Sequence, residues 1–323
     1  MLPIRAPHLA WLWLPLLVGP ALAQDAAPAP KPTEKPFLWV IEGREKPSFL
    51  YGTFHLPDDR TLALPKVVEE ALGLSDAFYA ELPEDPAAEM KLQQKMMIPG
   101  NKTIKDLIPA ELAQRAEALV QKKGLPGLAP LQKLQPWALA LQIPFFDYLQ
   151  DLMSGKKGLD GMLYEKAKKA KKEVGGLETH EEQVSALVTL GEKHGVEMLR
   201  QAIDGEEKGA EGGQKPLEKL IAVYLEGDEA KMQAYYDEEQ KKSSAEMNAE
   251  FVKLLVTDRN HRMAERIAAK LQESPGKSYF FAVGTLHHVG EEGVVALLQK
   301  DGLTIRRLTA VDAGKLEPAG APR

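Results

Sequence analysis

The sequence predicts an α/β fold in which a mixed sheet is built from two related strand-GxxH-helix-strand halves, with a large helical insert between them. Three observations carry this reading. Residues 48–57, SFLYGTFHLP, and residues 279–288, YFFAVGTLHH, each run an apolar, strand-like stretch into G-T-x-H. Each is followed by helical spacing and a further short apolar run, DAFYAEL after the first and LTIRRL after the second. Between the two units lies a long stretch of apolar residues at helical spacing, punctuated by Pro and Gly.

Residues 1–23 read as an export signal, with Arg5 as the positive end, an apolar core over 9–18, and cleavage after Ala21-Leu22-Ala23. The apolar run falls short of the roughly 20 residues that a spanning helix needs. The expectation is a periplasmic or secreted chain with no integral membrane segment after cleavage. Residues 24–36, rich in Pro and Ala, read as a disordered leader. Residues 37–42 and 48–54 form a hairpin around the turn at 43–47. A helix over 64–74 follows, with Pro65 in its first turn, and then a strand over 76–82.

Four helices over 86–97, 109–123, 136–154 and 159–172 make up the insert, about 86–172. Residues 173–178 return to the sheet as a brief strand, and 181–191 form a helix. Residues 204–216, polar and glycine-rich, read as a mobile surface loop. Helices over 217–226, 228–242, 245–257 and 259–273 lead to a strand over 278–283, a helix over 291–300 and a last strand over 303–308. The α/β domain therefore spans 37–310, and 311–323 read as a disordered tail.

The absence of cysteine excludes disulfides, thiolate nucleophiles and cysteine metal ligands. A net charge of −6 gives no reason to expect nucleic acid, which asks for a concentrated basic surface. The lysine-rich run 165–173 reads as a solvated helix face.

Gly52 and Gly284, each at the end of a strand, let the chain turn sharply and leave room for a ligand. His55 and His287, three residues on, can project back over the strand ends, where imidazole serves metal coordination or proton transfer. His288 beside His287 falls out of that register. Glu81 and Glu178 close two further strands and are hard-ligand candidates on the same rim, with solvent-facing loop acids as the alternative. Asp58 and Asp59 fit a turn, and His180, His194 and His261 fit surface or capping roles. No HExxH, G-x-S-x-G, P-loop or G-x-G-x-x-G pattern is present.

The two G-T-x-H segments, together with Ala80-Glu81-Leu82, Leu159-Asp160, Gly176-Leu177-Glu178-Thr179, Glu182-Gln183, Arg259-Asn260 and Met263 in that order, resemble the TraB/GumN family, whose animal relatives include the TIKI proteases. The resemblance covers essentially all of 37–308. It implies two related α/β halves and a metal-dependent hydrolase site around both histidines and a glutamate. Carried onto this chain, it implies His55, His287 and Glu81 as metal ligands or catalytic groups, with Glu178, Arg259 and Asn260 as further site candidates. Where the family commonly has Leu after the second histidine this chain has His288, which leaves open an extra ligand or a changed metal preference.

Both lines lead to an exported, metal-dependent hydrolase that cleaves peptide bonds through a metal-activated water, with Mn, Co or Zn as the divalent ion. Its partner is a peptide or small-molecule substrate, with no nucleic acid. The second reading is a non-catalytic periplasmic metal- or haem-binding or accessory protein of the same fold. The oligomeric state is left open.

Overall fold

The computed structural model describes residues 30–210 and 213–316, so the expected export signal and its cleavage point lie outside the described residues. Strands β1 (Leu38–Ile41) and β2 (Ser48–Thr53) form the expected antiparallel hairpin. The chain then passes the His55 loop, a one-turn helix α1 (Asp59–Leu62) and α2 (Lys66–Leu74) before β3 (Ala77–Ala80). Helices α3 (Pro86–Met96), α4 (Ala110–Lys122), α5 (Pro136–Gln142), α6 (Leu149–Met153) and α7 (Leu159–Lys169) precede β4 (Glu173–Gly176). The long α8 (His180–Ala210) leads to α9 (Pro216–Glu226), α10 (Glu229–Gln240) and α11 (Ala245–Phe251). A π-helical segment (Val252–Thr257) joins α11 to α12 (Asp258–Glu273). Strand β5 (Tyr279–Gly284), α13 (Val294–Lys300) and β6 (Ile305–Leu308) complete the domain.

The six strands form one mixed sheet in the order β4-β3-β5-β2-β1-β6. Strand β1 is antiparallel to both neighbours, and the other pairings are parallel. The two strand-GxxH-helix-strand units interleave. The connection from β2 to β3 straddles β5, and the one from β5 to β6 straddles β2 and β1. Strand β5 reads YFFAVG without polar alternation because a central parallel strand is covered on both faces. Phe280 and Phe281 are fully buried, and Phe280 stacks on Phe78 of β3.

The parallel register places the site. Thr53 lies opposite Gly284, and Ala80 lies opposite both Ala282 and Gly176. The residues that follow β2, β3, β4 and β5 therefore leave the sheet at one edge, the carboxyl edge where parallel sheets bind ligands. On α12 the buried stripe runs Arg259, Asn260, Met263, Ala264, Ile267 and Leu271. Its apolar part packs in the sheet core, and its polar head faces that edge.

A second core lies among the helices and draws on α3, α4, α5, α8 and Met247 of α11. Helix α7, within the expected insert, instead buries Leu159, Leu163 and Ala167 in the sheet core. Helix α8 runs well past Gly191, where the sequence reading ended it. Gly191 is no C-cap: a Cβ there would stand 2.3 Å from the Trp137 ring, so the missing side chain lets α8 close on the indole of α5. Residues 204–210, read as part of a mobile loop, are the last turns of α8, and Asp204 and Glu207 pair with Arg115 of α4. The expected helix over 136–154 is broken by a 3-10 stretch, Ile143–Tyr148, around Pro144.

Both ends of the expected disorder are corrected as well. In the leader, Thr33 bonds the Leu225 carbonyl, and the Glu34 carbonyl accepts from Ala310 N–H. In the tail, Thr309 and Asp312 form a capping box and Gly314 N–H bonds Glu70, so 311–316 are fastened to α2. Residues 24–29 and 317–323 lie outside the described residues. Lys166, Lys168 and Lys169 lie on α7 and pair with Glu69, Glu84 and Glu165, whereas Lys171 and Lys172 fall past the helix end and Lys172 bonds the Gly73 and Ser75 carbonyls.

Candidate active site

Three side chains, those of Glu81, His55 and His287, meet above the carboxyl ends of β2, β3 and β5. Their common point is Gly284. A Cβ built there would lie 2.9 Å from Glu81 Oε1, 3.5 Å from His55 Nε2 and 3.6 Å from His287 Cδ2. Gly284 has φ −50°, so its backbone needs no glycine. What needs it is the room that the three side chains enclose.

His287 is held by its far nitrogen. Asn260 Nδ2 donates to the Glu292 carbonyl at 2.7 Å, which turns Asn260 Oδ1 toward His287 Nδ1 at 2.6 Å. The carbonyl oxygen can only accept, so the network assigns the proton to Nδ1 and leaves the Nε2 lone pair facing inward. That lone pair accepts from Arg259 Nη1 at 3.1 Å. Burial, then the positive Arg259, pull His287 down to about 3, which keeps the ring neutral.

His55 is tethered in the same sense. Its Nδ1 lies 3.3 Å from Asp160 Oδ2, leaving Nε2 toward Gly284. The segment that carries Asp160 is pressed onto the histidine loop: Leu159 N–H bonds the Phe54 carbonyl, and a Cβ on Gly158 would overlap the His55 carbonyl at 2.1 Å. Burial opposes charge on His55, but Asp160 and then Glu81 outweigh it and push the ring up to about 9. With its side chain 55% exposed at the mouth of the site, solvent screening damps that shift. Asp58 caps α1, as the turn reading anticipated, and its carboxylate also takes bonds from Arg60 and Tyr148, which fastens the loop to the helical layer.

Glu81 accepts from Gly284 N–H at 2.7 Å and from Arg259 Nη2 at 2.6 Å. Burial alone would raise this carboxyl; Arg259 and the surrounding donors win and hold it well below the usual carboxylate range. Glu178 is fully buried and spent on arginines, bonding Arg259 Nε at 2.8 Å and Arg262 at 2.8 Å. It lies behind Arg259 and reaches the pocket through it. The π-helical segment supplies a further acceptor, the Leu255 carbonyl, 3.4 Å from Arg259 Nη1.

The family model described as TraB/PrgY/gumN matches residues 37–307. The chain belongs to the TraB/PrgY/gumN family. It is 28% identical to Metalloprotease TIKI1 of Danio rerio, over 85% of this chain and 63% of the relative. It is 27% identical to Metalloprotease TIKI2 of Xenopus tropicalis, over 89% and 62%, and 26% identical to human Metalloprotease TIKI1, over 85% and 62%. The chain thus spans little more than three fifths of the length of these curated relatives. No solved structure matches it.

Within this TraB/PrgY/gumN chain, the fold gathers the residues read from sequence: His55, His287, Glu81, Arg259, Asn260 and, one layer back, Glu178. The two motif glycines part company. A Cβ on Gly52 would meet Phe37 Cβ and Thr285 Oγ1, both at 2.8 Å, so its place is a packing contact and not ligand room. His288 turns away, with its buried ring 5.0 Å from Trp39 and close to the Tyr51 and Val283 backbone. His194, read as surface or capping, is buried and ties α8 to α11 through Glu250. Asp160 carried no signal of its own beyond its place in the family's motif order, and Arg262 carried none.

The donor set suits a divalent ion by chemistry: two imidazole nitrogens and a carboxylate oxygen border one small space, and each imidazole is oriented through its other nitrogen. The spacing differs from that of a loaded site. Among the described residues no three His, Asp or Glu side chains stand in an ion-holding arrangement, and Arg259 bridges Glu81 and His287. No helix among the described residues is long and apolar enough to cross a membrane.

The buried histidines set an acid limb. Burial brings His288 down to about 4, so both it and His287 stay neutral in the fold while unfolded imidazoles near 6.5 take up protons. Glu81, held low in the fold, shifts the same way. The unfolded chain therefore binds more protons as pH falls below about 6.5, and stability drops toward pH 4. His288→Phe removes one of these groups and two buried polar nitrogens. The expected result is unchanged or higher Tm at pH 7 and a shallower loss of Tm between pH 6.5 and 4. An acid limb as steep as the parent's would refute the assignment.

Proposed function

We propose that this chain is a metal-dependent hydrolase that cleaves peptide bonds outside the cytoplasm. The observation that carries this reading is the convergence of His55 Nε2, the His287 ring and the Glu81 carboxylate on the open face of Gly284. The metalloprotease names of relatives aligned over most of the chain support it. The export-signal pattern at residues 1–23 supports the location.

His55, His287 and Glu81 would hold the ion. When bound, a divalent ion supplies Lewis acidity for water activation and carbonyl polarisation. The remaining chemistry belongs to the chain. Asn260 and Asp160 keep the two imidazoles in the orientation that turns both inner nitrogens to the same space. Glu81, whose carboxylate borders that space, receives the proton of the attacking water. Arg259, always charged and planar, stabilises negative charge developing on the substrate carbonyl oxygen. Glu178 positions Arg259 from behind.

The test is elemental analysis of the purified chain, followed by a peptide-library assay with Mn, Co or Zn. The parent should carry about one ion per chain, and the His55→Ala/His287→Ala double variant a small fraction of that, together with loss of library cleavage. A double variant that retains the parent's metal content would remove the basis for the reading.

A further inference from the structure

Arg259 already places a positive charge where an ion would be gripped. Its Nη2 donates to Glu81 Oε2 at 2.6 Å, and its Nη1 donates to the inward lone pair of His287 at 3.1 Å. These are two of the three groups that the proposed ion needs. The guanidinium is buried, with 8% of its side chain exposed, and cannot shed its proton to make way.

We infer that Arg259 is a resident cation that competes with the divalent ion for Glu81 and His287, so that loading requires the guanidinium to withdraw. This rests on the metallohydrolase reading above. The structure supplies the place of withdrawal. Glu178 Oε2 already bonds Arg259 Nε at 2.8 Å and Nη2 at 2.7 Å, and the Leu255 carbonyl of the π-helical segment stands 3.4 Å from Nη1. Arg259 can surrender its contacts to Glu81 and His287 while keeping a buried carboxylate and a carbonyl, so its charge stays paired throughout. The Nη1 released from His287 remains beside the pocket, free to meet a substrate oxygen. The pair Glu178 and Arg259 therefore sets metal affinity and couples loading to the appearance of a free guanidinium edge.

The experiment compares the full-length parent with Arg259→Lys by titration with Mn²⁺ alone in a calorimeter, with no substrate present. Lysine keeps the positive charge but is a compact point donor on a flexible stem that cannot span Glu81, Glu178 and His287 together. Any gain then comes from freed donors and not from lost charge. Arg259→Lys should bind Mn²⁺ about tenfold more tightly, a gain of about 1.4 kcal/mol. Its Tm should also rise further than the parent's at the same Mn²⁺ concentration. Should the variant be poorly folded alone, recovery of its fold on adding Mn²⁺ supports the competition and failure to recover overturns it. Uptake by both chains with equal affinity, or weaker uptake by the variant, overturns the inference and leaves the metal reading standing. Uptake by neither sinks the metal reading and the inference with it.

Discussion

Replacing Arg259 with alanine will cost the fold about 3–5 kcal/mol at pH 7, the usual penalty for removing one partner from a buried ion pair. The residue deserves a value at the top of that range because it serves two carboxylates. Glu81 and Glu178 have side chains 10% and 0% exposed, and Arg259 bonds both of them. Glu178 retains Arg262, but Glu81 keeps only the Gly284 amide and weaker neighbours. The pH dependence separates this from simple loss of packing. In the parent, Arg259 helps hold the Glu81 carboxyl well below its ordinary range. Without it, burial pushes that carboxyl upward, and the variant folds most readily with Glu81 protonated. The gap between parent and variant is then full near pH 7 and narrows as pH falls through the ordinary carboxylate range toward 4. Urea titrations at pH 7 and pH 4.5 read both numbers. A gap below about 1 kcal/mol at pH 7, or one of equal size at both pH values, would show that the buried charges are not what Arg259 compensates.

The same residue shows where sequence reading reaches its limit. Arg259 and Asn260 could be named from sequence only through their place in the family's motif order; the structure shows that they head the buried stripe of α12. That the stripe's head meets Glu81, Glu178 and His287 depends on β5 entering the sheet between β2 and β3, a pairing between segments far apart in the chain. Short apolar runs recovered the strands and 3.6-residue spacing the helices, and parallel register carried Thr53, Gly284 and Ala80 to one edge. The sites of failure share a cause: the meaning of the residue is set by what packs against it. Gly191 reads as a helix stop and is a seat for Trp137. His194 reads as a surface residue and is sealed against Glu250. Asp160 has no motif of its own, yet the chain at 158–160 presses on the His55 loop closely enough to orient the ring.

Gly284→Ala and Gly52→Ala should fail in opposite ways, although the two glycines occupy the same position in the same G-T-x-H motif. At Gly284 the added methyl enters the space among Glu81, His55 and His287, meeting Glu81 Oε1 at 2.9 Å. The backbone at φ −50° accepts alanine without strain, so the fold should persist and the cost should fall on the site. Displacing a reacting group by about 1 Å can lower turnover about 100-fold, and a methyl at the shared point also separates the donors that would hold an ion. At Gly52 the methyl meets Phe37 Cβ and Thr285 Oγ1 at 2.8 Å, inside the packed contact between the first strand pair and the β5 exit. Overpacking of that kind costs about 1–3 kcal/mol, and it leaves the three inward-facing groups in place. Metal content, library cleavage and urea stability measured on both variants form a crossed design. Gly284→Ala should lose metal and turnover even in its folded fraction, and Gly52→Ala should lose stability while its surviving folded fraction still binds metal. If Gly284→Ala retains the parent's metal content and turnover, the space above Gly284 is not where the chemistry occurs, and the convergence of the two histidine loops would have to be explained as packing alone.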